Sequence, residues 1–536
     1  MHLRSLVAPS LALALLATPA AAQSAHRRPP DLLLTGGKVF TADSAHPWAE
    51  SVAIRGERIV AVGTTAELRR LAGHRTREIA LGGRVVIPGI NDAHDHIVDV
   101  IPGVAFHTSA SPTPDDSFAV VRDSLRALVA RVPRGTLLEA NIGLPVLDDP
   151  AARRAAIDSI APDHPVMLRA WWGHGMVVNT AALRSAGIGE DARDPLGGWF
   201  ERDSAGLLTG RIDEYAEWGL YRRVFSRATR GSLVAGLRAF GDSSLAMGVT
   251  TVQNMAGNQS PAVTVGAFRA ANLPMRVRLI RWSIPDSLGR NEREWDTVRT
   301  RVAPRVVVSG RKWVVDATPV ERFALRRTPY PGRPGWYGRL DFPMDTVRAM
   351  LAGALRPGAA QLHLHVVGDS ATLLVLDAME SLAPDSVWRA KRLRIEHGPG
   401  IDGPAIARAR RLGIVIAQPR FESRAPLRSW LAAGIPVAYG SDGLRNPFLH
   451  MMWAVTKPAR PGEAISREDA VTLFTHGSAF AERAEREKGM LAPGLLADLA
   501  VLSQDVFTVP VQALPGTTSV LTIVGGRVVR DVLTRR

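Results

Sequence analysis

The stretch Val86-Ile87-Pro88-Gly89-Ile90-Asn91, running straight into Asp92-Ala93-His94-Asp95-His96, decides how this chain is read. It is a short apolar strand that ends in two histidines one residue apart. Side chains at i and i+2 of a strand share a face, so His94 and His96 are set to grip one ion together. Alone the pair says little, because the chain carries 14 histidines.

Working outward, seven more short apolar runs follow at 250–253, 275–280, 313–315, 362–365, 393–395, 414–417 and 437–439, with helical stretches between several of them. With 86–91 they make eight strands in a βα pattern. Such alternation implies a parallel sheet, and eight units imply an α/β fold of the TIM (β/α)8 barrel type. About 150 residues separate the first strand from the second, too many for a loop. An inserted subdomain is expected there, at roughly 105–235.

Both ends of the chain read differently. From 31 to 86 the pattern is short and alternating, with Gly36-Gly37 before Val39-Phe40; near the C-terminus Leu521-Thr522-Ile523-Val524 runs into Gly525-Gly526 and Arg527-Val528-Val529. Termini commonly lie close together, so 31–86 and 490–536 are expected to build one composite β-sandwich, leaving 87–489 for the barrel. Residues 1–22 read as a secretory signal: Arg4, an apolar run at 11–17, and Ala20-Ala21-Ala22 before Gln23. The expectation is an exported protein, periplasmic or secreted, with no membrane span, since the apolar run is shorter than the ~20 residues a crossing needs.

Composition narrows the chemistry. The 536 residues contain no cysteine, which excludes disulfides, thiolate metal sites and a cysteine nucleophile. The net charge of +15 comes from 66 basic and 51 acidic residues, but only five of the basic residues are lysine, and the charge is spread along the chain. Nucleic-acid binders concentrate charge on one face or arm, so nucleic acid is not expected as a partner. No Gly-x-Ser-x-Gly elbow and no Gly-x-x-x-x-Gly-Lys loop occur.

The polar residues at the strand ends carry the functional reading. His365, His397 and Asp442 each close a different later strand, where TIM barrels place their active sites. With His94 and His96 they form a nitrogen and carboxylate donor set suited to zinc or a similar divalent ion. Lys312, in Arg311-Lys312-Trp313, opens the fourth predicted strand and stands out because lysine is scarce. His363 lies two residues before His365 on the same face and is expected deeper, as a supporting group.

These residues resemble the amidohydrolase superfamily, in the branch of N-substituted formamide deformylase and related exported enzymes. The stretches concerned are 88–96, 312–316, 365–369, Arg394-Ile395-Glu396-His397, Gln418-Pro419, Gly440-Ser441-Asp442 and 489–502. The resemblance implies two zinc-like ions: His94, His96 and Asp442 would hold one, His365 and His397 the other, and Lys312 would bridge them as a CO2-derived carbamate. It implies hydrolysis of C–N bonds in amide, N-acyl or formamide-type small molecules by a metal-activated hydroxide, with Asp442 shuttling the proton. In the inserted segment, Gly173-His174-Gly175 and Gly210 to Glu214 also resemble the family. His174 is a candidate for contact with the substrate carbonyl, and Trp172, Glu214 and Arg420 are candidate substrate-binding residues. A homodimer is a further expectation from the family that the sequence itself does not decide. One departure stands out: after the lysine strand this chain has Asp316-Ala317-Thr318-Pro319 where the branch has Asp-Gly-Ser-Leu, and that loop is expected to line the substrate side. Esters, lactones and cyclic amides remain alternative substrates of the same site. A silent solute-binding barrel is the alternative from another class.

Overall fold

The structure, a computed structural model, describes residues 28–97, 102–111, 113–285, 293–419, 424–457 and 459–533. The signal-like residues 1–22 and Arg420 lie outside the described residues.

Eight strands follow one another around a parallel sheet: Ile90–Asp95 (β1), Val249–Ala256 (β2), Arg276–Trp282 (β3), Val306–Val314 (β4), Leu362–Val366 (β5), Arg394–His397 (β6), Val415–Pro419 (β7) and Val437–Gly440 (β8). Every neighbouring pair is parallel and in chain order. Strands covered on both faces read as near-continuous apolar runs, as β7 does with Val415-Ile416-Ala417. The circle closes where β8 returns to β1: the amides of Ser441 and Asp442 both donate to the His94 carbonyl, at 3.1 and 2.8 Å. Gly440 permits that approach, because a Cβ there would stand 2.6 Å from the His94 nitrogen. Helices such as Met344–Leu355, Asp369–Leu382 and Pro404–Leu412 cover the later strands.

Two strands differ from their sequence reading. The run 86–91 is divided: Val85–Pro88 belongs to another sheet, and the barrel begins at Ile90. The break falls at Gly89, where a Cβ would meet Thr250 Oγ1 at 2.1 Å. The fourth strand is nine residues long, so Lys312 stands near its C-terminal end and does not open it. That shift is what carries Lys312 to the barrel mouth.

A four-stranded sheet has the order Arg58–Gly63, Ser51–Arg55, Leu32–Thr35, Arg77–Ala80; a six-stranded one has the order Arg527–Asp531, Ser519–Val524, Leu499–Leu502, Val85–Pro88, Lys38–Phe40, Trp48–Ala49. Residues from both ends of the chain therefore pair directly, with Leu499 opposite Pro88 and Val501 opposite Val86. Leu34, Val52, Ile54 and Ile79 of the first sheet share one core with Val86, Leu499, Val501 and Ile523 of the second. Arg276 at the foot of β3 ties this unit to the barrel through a fork on Asp498, at 2.7 and 3.1 Å.

Between β1 and β2 lies a further six-stranded sheet, ordered Gly198–Arg202, Leu208–Glu214, Met176–Val178, Val166–Ala170, Leu138–Ile142, Val104–Ala105. It has its own core, in which Leu138, Val166, Leu168 and Val177 pack against Val121 and Leu125 of the helix Phe118–Val129. The helix Tyr215–Phe225 then docks the insertion on the barrel, the Val314 amide donating to the Tyr215 hydroxyl at 3.0 Å. Among the described residues no helix is long and apolar enough to cross a membrane.

The closure makes a prediction. Gly440→Ala should lower stability by about 1–3 kcal/mol, the range for forcing atoms into a packed site, measured as the shift in the denaturant midpoint. Gly462→Ala, where the added Cβ meets nothing within 4 Å, is the control. Equal midpoints for the two variants would contradict the contact.

Candidate metal centre and substrate cavity

His94, next to the end of β1, is almost wholly buried, and its ring is aimed by what lies beneath it. Nδ1 is 2.7 Å from Glu396 Oε2, and His363 Nδ1 is 2.9 Å from Glu396 Oε1. Arg394, two residues before Glu396 on the same inward face of β6, places Nε 2.7 Å from Oε1. Burial works against the ionised carboxyl, yet Arg394, His94 and His363 together hold Glu396 well below the usual carboxylate range. A carboxylate behind a metal-binding histidine fixes the ring and its tautomer, leaving His94 Nε2 toward the mouth.

There Nε2 meets Asp442. Oδ1 of Asp442 is 3.6 Å from His94 Nε2 and 3.6 Å from His96 Nε2. Donor atoms of His94, His397 and Asp442 all lie within 4.8 Å of one another. The His365 ring stands 4.2 Å from that of His397, and His397 stands 5.4 Å from His94. Two ligands of one ion bound at 2.0–2.1 Å are separated by roughly 3.4 Å in a tetrahedral site, close to the spacing around Asp442. Buried His365 Nε2 has no hydrogen-bond partner. Burial lowers the pKa of His94 and takes His96 and His365 well below the ordinary imidazole value, so these rings stay neutral and keep a lone pair. The donor set fits a zinc-like divalent ion.

Lys312 is buried beside this group, and burial pushes its amine down to about 8, against the pull of Glu396 and Asp442. His397 and Asp442 both sit in the left-handed backbone region, at φ 70° and 46°. Few non-glycine residues do so. Strand alternation would turn His397 away from Glu396's inward face; the left-handed turn returns it to the mouth.

His174 arrives from the inserted sheet, its ring 5.0 Å from that of His365. Its Nδ1 lies 2.9 and 3.1 Å from the two oxygens of Glu214. Glu214 is fully buried behind His174, so it supports the histidine and is not on the substrate wall where the sequence reading put it. Burial, with Asp213 beside it, pushes the Glu214 carboxyl up to about 8. A second grouping of potential ligands, His174, Glu214 and Glu321, is already spoken for. Glu321 accepts from the Thr318 amide and hydroxyl and from the Trp172 indole at 2.8 Å.

The cavity above these residues has a volume of about 380 Å³, at the small end for a ligand pocket. Trp171, Trp172, Trp218 and Trp282 wall it together with His174 and Arg169. The loop 316–322 does not line the cavity, contrary to the sequence reading. Its two carboxylates are buried: Asp316 accepts from the amides of Leu325, Val367 and Gly368, at 3.1, 2.9 and 2.8 Å, and Glu321 meets the cavity wall through Trp172; Pro319 and Val320 are exposed.

Residues 77–530 match the Amidohydrolase family. The chain belongs to that family, which assigns it to the metal-dependent hydrolases. Protein LONG AFTER FAR-RED 3 of Arabidopsis thaliana is 29% identical over 552 residues, spanning 93% of this chain and 91% of its own. An N-substituted formamide deformylase of Arthrobacter pascens is 28% identical over 528 residues, spanning 89% and 94%. A solved structure from Pyrococcus furiosus, described as an uncharacterized metal-dependent hydrolase, superposes with a TM-score of 0.66 at 22% identity, over 89% of this chain and 100% of its own. At that identity the likeness speaks for the fold.

Glu396 is the residue the sequence reading quoted without giving it a role. Glu396→Gln should cut metal affinity about 10–100-fold, the usual cost of losing a carboxylate behind a ligand histidine. Elemental analysis after dialysis against graded chelator measures this; unchanged retention would remove Glu396 from the site's architecture.

Proposed function

We propose that the protein hydrolyses C–N bonds of small amide, N-acyl or formamide-type substrates in the cavity at the barrel mouth. The observation that carries this reading is the convergence of His94, His96, Lys312, His365, His397 and Asp442 from five strand ends onto one mouth of the barrel. His94, His96 and Asp442 would hold one zinc ion and His365 and His397 a second. Lys312, carboxylated by CO2, would bridge them, since bare lysine offers donors and no acceptor. When bound, the metal supplies Lewis acidity toward the carbonyl and lowers the pKa of water.

The chain's own residues do the rest. Asp442, held by its amide on the His94 carbonyl, takes the proton of the attacking water and passes it to the leaving nitrogen. His174, braced on Glu214, contacts the scissile carbonyl oxygen and steadies the charge that develops there. The indoles keep bulk water from the reacting atoms. Among the similar proteins, the Arthrobacter deformylase supports a C–N bond as the target.

Asp442→Asn should keep its metal and lose roughly 10²–10⁴ in kcat, the range for a proton-transferring group; a full rate with metal bound would overturn the assignment. Protein purified without chelator or added metal should carry about two equivalents of zinc, as a bridged pair requires. About one equivalent would overturn the Lys312 bridge, and none after zinc addition would overturn the metal-dependent reading.

We further propose export, supported by the charged, apolar and small-residue order of residues 1–22. N-terminal sequencing of protein recovered outside the cytoplasm should begin at Gln23; an intact Met1 would overturn it.

A further inference from the structure

Four indoles meet around the cavity from three parts of the chain. Trp171 and Trp172 follow the inserted strand Val166–Ala170, Trp218 lies on the helix Tyr215–Phe225, and Trp282 ends β3. Trp218 and Trp282 stand 4.8 Å apart at 66°, and Trp171 and Trp172 stand 5.5 Å apart at 87°. The wall begins beside the reacting groups, since Trp282 lies 5.4 Å from the candidate ligand His96 and Trp218 lies 5.6 Å from His174.

Two of these rings have their only polar atom turned into the protein. Trp172 Nε1 donates to Glu321 Oε2 at 2.8 Å, and Trp218 Nε1 donates to the Gly173 carbonyl at 3.3 Å. What those rings offer a ligand is therefore carbon and π surface. Two arginines line the cavity. Arg445 donates to Asp95 at 2.9 Å and to the His96 carbonyl at 2.8 Å. Arg169, on the indole wall, is engaged as well. It lies 3.9 Å over the Tyr221 ring, with Glu139 at 3.5 Å and Glu217 at 3.8 Å. The apolar end of the cavity thus suits an uncharged group.

Glu321 has no contact with the cavity. It comes from the loop after β4, where this sequence departs from the branch pattern it otherwise resembles. Each of its oxygens has a donor, and one of those donors is the Trp172 indole.

We propose that this indole box selects substrates carrying a flat, uncharged aromatic ring beside the scissile carbonyl, and that Glu321 is a positioning residue that sets selectivity by holding Trp172. The proposal rests on reading the cavity as the active site, but it concerns recognition and is tested without turnover. A planar ring can stack on or meet the edge of several indoles at once, which a puckered ring of equal carbon number cannot. Two such aromatic pairs correspond to about a tenfold preference.

The test compares acetophenone with cyclohexyl methyl ketone, which share a carbonyl and have no leaving group, by titration calorimetry on the full chain. Acetophenone should bind about tenfold tighter. Trp172→Leu and Glu321→Leu should each reduce that ratio to about two. Glu321→Gln, which keeps one acceptor oxygen for the two groups of donors, should give a ratio between that of Glu321→Leu and that of the unmutated protein. Equal affinities in the unmutated protein, or no binding of either ketone, would overturn the aromatic preference. An undiminished ratio in Glu321→Leu would overturn the positioning role. Should the leucine variants not fold, Trp172→Phe and the unmutated ratio still decide. A failure of amide hydrolysis with the binding preference intact would count against the proposed reaction alone.

Discussion

The ion pair buried inside the barrel, Arg394 with Glu396, is the interaction on which the rest of the site depends. A buried pair gains little net stability, since desolvation offsets much of the attraction. Its value here is geometric. Glu396 binds His94 and His363 at once, while Arg394 reaches the Ala93 carbonyl and Gln253. Side chain and main chain of His94 then act in opposite directions. The ring is pinned from below by Glu396, and the carbonyl accepts the two amides that close the barrel and seat Asp442. Ligand orientation and barrel closure are thereby one constraint.

The other half of the site is brought in by the insertion. Without the insertion the mouth would keep its ligands and Trp282 but lose the other three indoles. His174 and Trp172 are neighbours in sequence but are held by different carboxylates, Glu214 from the inserted sheet and Glu321 from the barrel loop. The two bonds lock the insertion against the barrel at the point where substrate would sit, and Tyr215 adds a third tie to the end of β4. Arg211 and Arg339 lie near the buried carboxylates Asp213, Glu214 and Asp341 and partly compensate them. This arrangement concentrates polar cost behind the cavity and leaves the indole side of its wall apolar.

Much of this was legible in the chain. The barrel shows as apolar runs of regular length, and its chemistry shows because His94, His365, His397 and Asp442 all stand at the ends of such runs. The hidden parts have physical reasons. Glu396 and Arg394 are charged residues within a strand, which local pattern alone cannot distinguish from a solvated face; only closing the barrel shows that they are buried together. Glu214 stands where a substrate contact is expected, but it lies behind His174, bonded to its Nδ1, with a positive φ of 57° that strand pattern does not announce. Lys312 reads as opening its strand, whereas Gly310 and the charged pair Arg311-Lys312 lie within a β4 that runs on from Val306.

The backbone conformation at the mouth explains why strand periodicity is least informative where the chemistry lies. Alternation assigns every second residue to the interior, and on that rule Glu396 and His397 cannot both point inward. They do so because His397 leaves the extended region for φ 70°, and Asp442 does the same at 46° after β8. Each departure costs on the order of 1–3 kcal/mol for a non-glycine residue and persists only where surrounding bonds over-determine it. At Asp442 that determinant is visible: its own amide is bonded to the His94 carbonyl, and the Gly443 amide donates to Asp95. Glycines 398 and 443 follow at φ 69° and 94°, continuing a turn that a side chain would oppose. Strain at these two residues therefore has a specific return. It doubles the number of inward side chains a strand end can present, which is how short strands crowd five imidazole and carboxylate ligands around one point.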